Sequence, residues 1–268
     1  MRNTNIQHLC PGPIIPADWQ GRHSGKPIFV IGNGPSLKKQ NPALLKDQIT
    51  IGVNRVAYWL ETRYIMVQDK VNWEDHKNSV LTAWKHGSTI ILASNIRWGA
   101  NEKNVYHFPT RSSRPLSFIT DPAKGLVRGS NIVYPAMAVA FFFGGNPIYL
   151  MGCDYTDYTK TRGPVHMVDT SADKARYKIK GNVGQDGYPA FELVMQGFAK
   201  IRERASHEKR KIFNLSPQDG SRLTLFPFKN YPDDCEFLDK NENTGGTSGN
   251  NLQLSGVRNW GPLTRIST

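Results

Sequence analysis

Gly32-Asn33-Gly34-Pro35-Ser36 follows directly on the apolar run Ile28-Phe29-Val30-Ile31. Two glycines at a strand end let the backbone come close to a bound group, and N–H groups exposed at the next turn make a nest for phosphate oxygens. Ser36 adds a hydroxyl and a helix cap, and Asn33 offers both a donor and an acceptor. The spacing is neither the dinucleotide-binding GxGxxG nor the Walker pattern, since no Gly-Lys-Ser follows. As a bare spacing it equally suits a tight strand–helix turn with no ligand. Two more apolar runs end on polar residues: Ile49–Val53 on Asn54, and Tyr64–Gln68 on Asp69. In a parallel sheet those ends lie beside the first loop. Asn33, Asn54 and Asp69 are therefore expected to converge on one ligand, the amides on sugar or phosphate and Asp69 on a ribose or base edge. Each alone is equally a loop-capping residue.

The elements that must carry these residues are legible in the apolar pattern. Short continuous runs at 28–31, 49–54, 64–69, 89–94, 105–108, 147–154 and 211–217 read as strands buried on both faces of a parallel sheet. Helices are expected at 42–47, 73–86, 130–143 and 189–207, the third stopped by Gly144-Gly145. Strands alternating with helices predict an α/β fold with a mostly parallel, doubly wound sheet and ligands at the carboxyl ends of its strands. Residues 1–26 read as an irregular lead-in and 109–129 as a loop. Residues 27–217 read as the main domain, with a lid insertion at about 155–187. Residues 218–268 read as an extension, flexible around the Gly245–Asn251 stretch.

Composition narrows the classes. The chain has 268 residues and a formal net charge of +12, with mean hydropathy −0.49. No run approaches the roughly 20 apolar residues of a membrane span, and Met1–Asn5 precedes no apolar core of a signal peptide. Cys10, Cys153 and Cys235 show no CxxC spacing, so a reducing, cytoplasmic setting is expected, with no zinc site. No Asp-x-Asp pair stands at a strand end, so no metal and no cofactor are expected. The charge favours polyanionic partners, with Arg111, Arg114, Arg128, Arg162 and Arg176 as the candidate phosphate contacts.

Gly32–Lys38, Asn54, the Ser130-Asn131 pair opening an alanine-rich helix, and Ile148–Tyr155 together resemble the bacterial lipooligosaccharide sialyltransferases and related phage-encoded proteins. The resemblance spans about residues 27–217. A more distant similarity, through the Gly-Pro-Ser loop, is to the pterin pyrophosphokinase-like domain. The first resemblance implies a GT-A-like glycosyltransferase with a single nucleotide-binding domain and a lid, taking a CMP- or UDP-linked sugar as donor without a metal. It carries donor binding over to Gly32, Asn33, Gly34, Ser36, Asn54 and Ser130 with Asn131. A nucleoside-binding position falls near Gln68-Asp69, where that family has Asn. Tyr155, Tyr158 and Tyr177 are candidates for the lid tyrosines that help the phosphate depart. The chain departs from the family where a general-base histidine is expected: Lys180–Tyr188 has none. His166 and Asp186 are then the candidate catalytic bases.

The acceptor is read from charge and from the resemblance. The +12 charge and the Arg111–Arg128 stretch favour duplex DNA, and the resemblance to phage-encoded proteins implies a hydroxymethylated base of phage DNA as the hydroxyl. The alternatives are transfer to a cell-surface glycan, a pyrophosphokinase-like nucleotidyl enzyme, and a non-catalytic phage protein that binds a nucleotide.

Overall fold

Ile28-Phe29-Val30-Ile31 forms strand β1 (Ile28–Ile31), and all four residues are buried because both faces of the strand are covered. The same holds for β2 (Ile49–Val53), β3 (Tyr64–Val67) and β8 (Ile148–Met151). With β4 (Thr89–Ala93), β5 (Val105–Phe108) and β9 (Ile212–Asn214) they build one seven-stranded sheet in the order β5-β4-β3-β2-β1-β8-β9. Every pairing in it is parallel. A separate two-stranded parallel ladder joins β6 (Thr110–Arg111) to β7 (Leu126–Val127) within the expected loop. This computed structural model describes residues 10–112, 116–129, 131–155, 189–218 and 221–238.

Helices cover both faces, as the doubly wound class requires. Helix α1 (Lys70–Lys85) sets Trp73, Val80 and Ala83 against Ile65, Val67, Ile90 and Leu92 on one face. Helices α2 (Val133–Phe142) and α3 (Pro189–His207) pack on the other, against Val30, Ile51, Met66 and Leu150. All ten residues of α2 are buried, which is why its apolar pattern runs round the whole helix instead of along a stripe. Val194, Phe198, Ile201 and Ala205 give α3 the one-sided spacing of a helix with an exposed face. The chain moves outward from β1 to β5, then returns through α2 to place β8 on the other side of β1. The strand order therefore reverses between β1 and β8, and open α/β sheets bind ligands at the carboxyl edge beside such a reversal.

Several boundaries differ from expectation. Helix α1 begins at Lys70 and not at 73, because the Asp69 side chain accepts from the Asn72 N–H as its N-cap. Helix α2 begins at Val133 and not at 130, because Asn131 Oδ1 accepts from the Tyr134 N–H at 3.0 Å. Its end is the expected one: Gly144 is left-handed (φ 84), and its N–H reaches the Phe141 carbonyl at 2.9 Å. The segment expected as a helix at 42–47 is a 3-10 turn, Pro42–Leu45.

Residues outside the expected main domain close both edges of the sheet. Ile14 bridges to His107 beside β5, and Phe228 bridges to Asn214 beside β9. Covering edge strands removes unpaired ladder groups that would otherwise recruit another chain. Residues 231–238 then cross one face, where Phe237 stacks on Phe29 at 5.6 Å and Leu238 exchanges hydrogen bonds with Gln48. Among the described residues, no helix is long and apolar enough to cross a membrane.

Candidate functional site

The Gly32–Ser36 loop leaves β1 next to the loop that leaves β8, and the two are joined along their length. The Gly32 N–H donates to the Met151 carbonyl and the Gly34 N–H to the Gly152 carbonyl, each at 2.8 Å. The Ser36 N–H donates to Asp154 Oδ2 at 2.9 Å, and its Oγ–H donates to Asp154 Oδ1 at 2.6 Å. Both glycines are required by this contact. A Cβ on Gly32 would lie 2.4 Å from the Gly152 oxygen, and one on Gly34 would lie 2.4 Å from Asp154 Oδ2. Asp154 is 3 % exposed. Its carboxylate caps the 3-10 turn Pro35–Lys39 that follows the loop. The expected geometry of exposed N–H groups is thus corrected. The donors of residues 32, 34 and 36 are held by the neighbouring loop, those of Ser36 by the Asp154 carboxylate.

What the loop does present is Asn33. Its Nδ2 donates to the Val53 carbonyl at the end of β2 (3.1 Å), while its Oδ1 is buried with no hydrogen-bond partner among the described residues. The next strand end repeats the pattern. Asn54 directly follows β2 in the left-handed conformation (φ 51), and its Oδ1 is also buried without a partner. Gln68 directly follows β3, is 7 % exposed, and its Oε1 is in the same state. Three neighbouring strands, spaced about 4.8 Å apart, therefore each end on an amide whose oxygen has no donor among the described residues. A buried acceptor left unpaired costs about 1–3 kcal/mol. Three of them on adjacent strand ends at the carboxyl edge of a parallel sheet can take donors from a ligand.

The other expected residues fall differently. Asp69 is fully engaged by Asn72, through the backbone N–H at 2.8 Å and Nδ2 at 2.7 Å. It is a helix cap, and Gln68, one residue earlier, takes its place in the row. Asn131 is likewise occupied: Nδ2 donates to the Gly129 carbonyl, and Oδ1 accepts from the Tyr134 N–H and from the Tyr155 hydroxyl at 2.9 Å. Tyr155 also sets its ring edge-on to Phe198 of α3, at 5.5 Å between centroids. Asn131 and Tyr155 are thus brought together at the start of α2. The Tyr134 ring is wedged beside Gly129 and Gly197. Its buried hydroxyl has no partner among the described residues, and desolvation pushes its pKa up to about 12. It is a neutral phenol with a proton to donate.

Arg111 and Arg128 are both exposed; Arg111 pairs with Val127 across the β6–β7 ladder, and the N–H of Arg128, the residue after β7, donates to the Arg111 carbonyl at 3.3 Å. Lys124 nearby pairs with Asp121 at 3.3 Å. Among the described residues no group of three His, Cys, Asp or Glu lies together as metal ligands. Arg114, Ser130, Tyr158, Arg162, His166, Arg176, Tyr177 and Asp186 lie outside the described residues, as does all of the expected lid beyond Tyr155. Gln68 and Asp154 carry more of the geometry than expected. The sequence signal for Gln68 was its position, since it ends a strand on an amide as Asn33 and Asn54 do.

No family model matches the chain, and no curated protein matches it. Among solved structures it is similar to the MAf glycosyltransferase from Magnetospirillum magneticum AMB-1, at 14% identity and a TM-score of 0.46 over 85% of this chain and 39% of that one. The chain thus spans about two fifths of the length of that protein. It is also similar to the sialyltransferase CstII in complex with CMP, at 14% identity and a TM-score of 0.47, covering 80% and 89% of the two chains. A structure of CstII from Campylobacter jejuni with cytidine-5'-monophosphate gives 14% identity and 0.45, over 88% and 94%. At TM-scores below 0.5, these similarities bear on neither activity nor substrate.

Proposed function

We propose that the chain is a glycosyltransferase that binds a nucleotide-sugar at the carboxyl edge of β1–β3 and moves the sugar onto a hydroxyl. The observation that carries this reading is the row of unpaired, buried amide oxygens on Asn33, Asn54 and Gln68. A row of acceptors selects a ligand that presents several donors, as the hydroxyls of a ribose and a sugar do and as the amino group of a base does. Phosphate alone presents acceptors at neutral pH and would leave all three oxygens unpaired. The row also lies beside the strand-order reversal, where open α/β sheets take their ligands.

In this reading the donor's nucleotide is CMP or UDP, the reaction needs no metal, and the general base is His166 or Asp186. Asn131 and Tyr155, coupled at the start of α2, border the donor with Ser130. Arg111 and Arg128 face a phosphate-bearing acceptor, a hydroxymethylated base in duplex DNA being the case their charge supports. A shift in melting temperature on adding CMP, UDP, CMP-N-acetylneuraminic acid or UDP-glucose tests the donor side, because a ligand of the native state must stabilise it. A flat response to all four overturns the reading. On the acceptor side, duplex DNA binding should weaken steeply with salt and lose slope in Arg111→Ala/Arg128→Ala. Salt-insensitive or absent binding excludes DNA as the acceptor.

A further inference from the structure

Asp154 is buried, ionisable and given no part in the reading above. Its two oxygens take the N–H and the hydroxyl of Ser36 at 2.9 and 2.6 Å, the short distances of bonds to a charged acceptor. Those bonds fix one end of the loop that carries Asn33. The Gly32 and Gly34 N–H groups, on either side of Asn33, are held by the Met151 and Gly152 carbonyls of Asp154's own segment. The Asn33 Nδ2 is held from the other side by Val53. Asn33 thus hangs between two strand ends with its side-chain oxygen uncommitted among the described residues. The direction of that oxygen depends on how the loop is clasped to β8.

We propose that Asp154 is a positioning residue for ligand binding: through Ser36 it clamps the Gly32–Ser36 loop so that Asn33 Oδ1 is aimed along the amide row. It does not touch the ligand and does not hold phosphate. The clamp has a second consequence. The Gly32, Gly34 and Ser36 N–H groups are already used, so these three residues serve the site by placing the Asn33 side-chain acceptor and not as an anion nest. The inference rests on the reading of the amide row as a ligand site.

The test is a double-mutant cycle on affinity for CMP and UDP, measured by calorimetry on the full chain. Asp154→Ala should weaken the nucleotide that wild type binds by tenfold or more, and Asn33→Ala by a similar factor. The double variant should be no weaker than the worse single one, because both remove the same aimed oxygen. Asp154→Asn should restore affinity to within about threefold of wild type, since an amide bonds both the Ser36 N–H and Oγ once the hydroxyl turns to accept. A merely structural role predicts additive losses instead. Additive losses, or wild-type affinity in Asp154→Ala, overturn the inference. Should Asp154→Ala not fold, Ser36→Ala removes only the hydroxyl bond. It should lower affinity about threefold in the wild-type background and leave it unchanged in Asn33→Ala; equal losses in both overturn the proposal. If wild type binds neither nucleotide, the site reading falls and takes this inference with it. If wild type binds and the cycle is additive, this inference falls alone.

Discussion

Replacing Gly34 by Ala adds one methyl group at the point where the β1 and β8 loops meet. The backbone there is ordinary (φ −65, ψ 153), so any L-residue fits the conformation and only space is at issue. The new Cβ would lie 2.4 Å from Asp154 Oδ2, 2.5 Å from its Cγ and 2.8 Å from the Gly152 oxygen. Ordinary contact is about 3.5 Å, so the carboxylate must withdraw by about 1 Å and abandon Ser36. Overpacking a tight site costs about 1–3 kcal/mol. Losing a hydrogen bond to a charged group adds about 1.5–3 kcal/mol. The expected destabilisation is therefore about 3 kcal/mol or more, a large share of the roughly 5–15 kcal/mol that holds a domain folded. Urea unfolding followed by the fluorescence of the six tryptophans measures it, provided the denaturant slope is unchanged. The same substitution in an Asp154→Ala background loses the two carboxylate contacts and keeps the one to the Gly152 oxygen, so it should cost about 1 kcal/mol there, a coupling of about 2 kcal/mol. A Gly34→Ala protein within about 0.5 kcal/mol of wild type would refute the clasp, as would equal costs in the two backgrounds.

Two further outcomes follow from buried polar groups. His23 is 6 % exposed, and its Nε2 lies 2.8 Å from the Tyr64 hydroxyl. Burial first, and then the nearby Arg63, Arg22 and Lys26, lower its pKa from 6.5 to about 3. The unfolded chain takes up a proton below about pH 6.5 while the fold does not until about pH 3. The contribution is therefore complete above pH 6.5 and is lost as the pH falls, by about 1.4 kcal/mol per unit. His107, buried in β5, is shifted the same way by desolvation. The loss between pH 7 and pH 5 should be smaller in His23→Gln than in wild type, and equal losses would remove His23 from the account. Asn54→Gly should stabilise the free protein by about 1 kcal/mol, since glycine fits φ 51 and an unpaired buried oxygen is removed. The same change should weaken nucleotide binding. Melting temperatures with and without CMP and UDP read both effects, and a destabilised free protein would mean that Oδ1 already has a donor.

The sheet was legible because its strands are buried on both faces, and such strands are written as unbroken apolar runs. Ile28–Ile31 and Ile148–Met151 could be nothing else once flanking glycines bounded them. Helix α2 was legible for the same reason. The elements held by backbone and side-chain contact across the chain were not. Nothing near Ile14 or Phe228 signals that these residues close opposite edges of a sheet, because an isolated bridge has no periodicity to detect. The β6–β7 ladder, two residues a side, is too short for any pattern. Strand-end acids are ambiguous for a related reason. Asp69 and Asp154 both follow strands, and each bonds a following or facing backbone N–H. A residue type that caps turns and helices is the same type that reads a ribose.

The glycine loop shows where the boundary of sequence reasoning lies. A glycine is demanded wherever something comes too close for a Cβ, and a phosphate group and a neighbouring strand's carbonyl make that demand equally. Gly32 and Gly34 answer to the Gly152 carbonyl and the Asp154 carboxylate, and no spacing rule separates that case from the other. The polar atoms left over after the protein has satisfied itself do separate them. Asp154 and Ser36 satisfy each other and so point away from a ligand. Asn33, Asn54 and Gln68 carry oxygens that the described fold leaves without donors. Three such acceptors on adjacent strand ends carry a cost that donors from outside the described residues would offset, those of a bound ligand in the function proposed above. The proposed site is therefore drawn from what remains unpaired among the described residues at the ends of β1, β2 and β3, and in that proposal the glycine loop holds Asn33 in line.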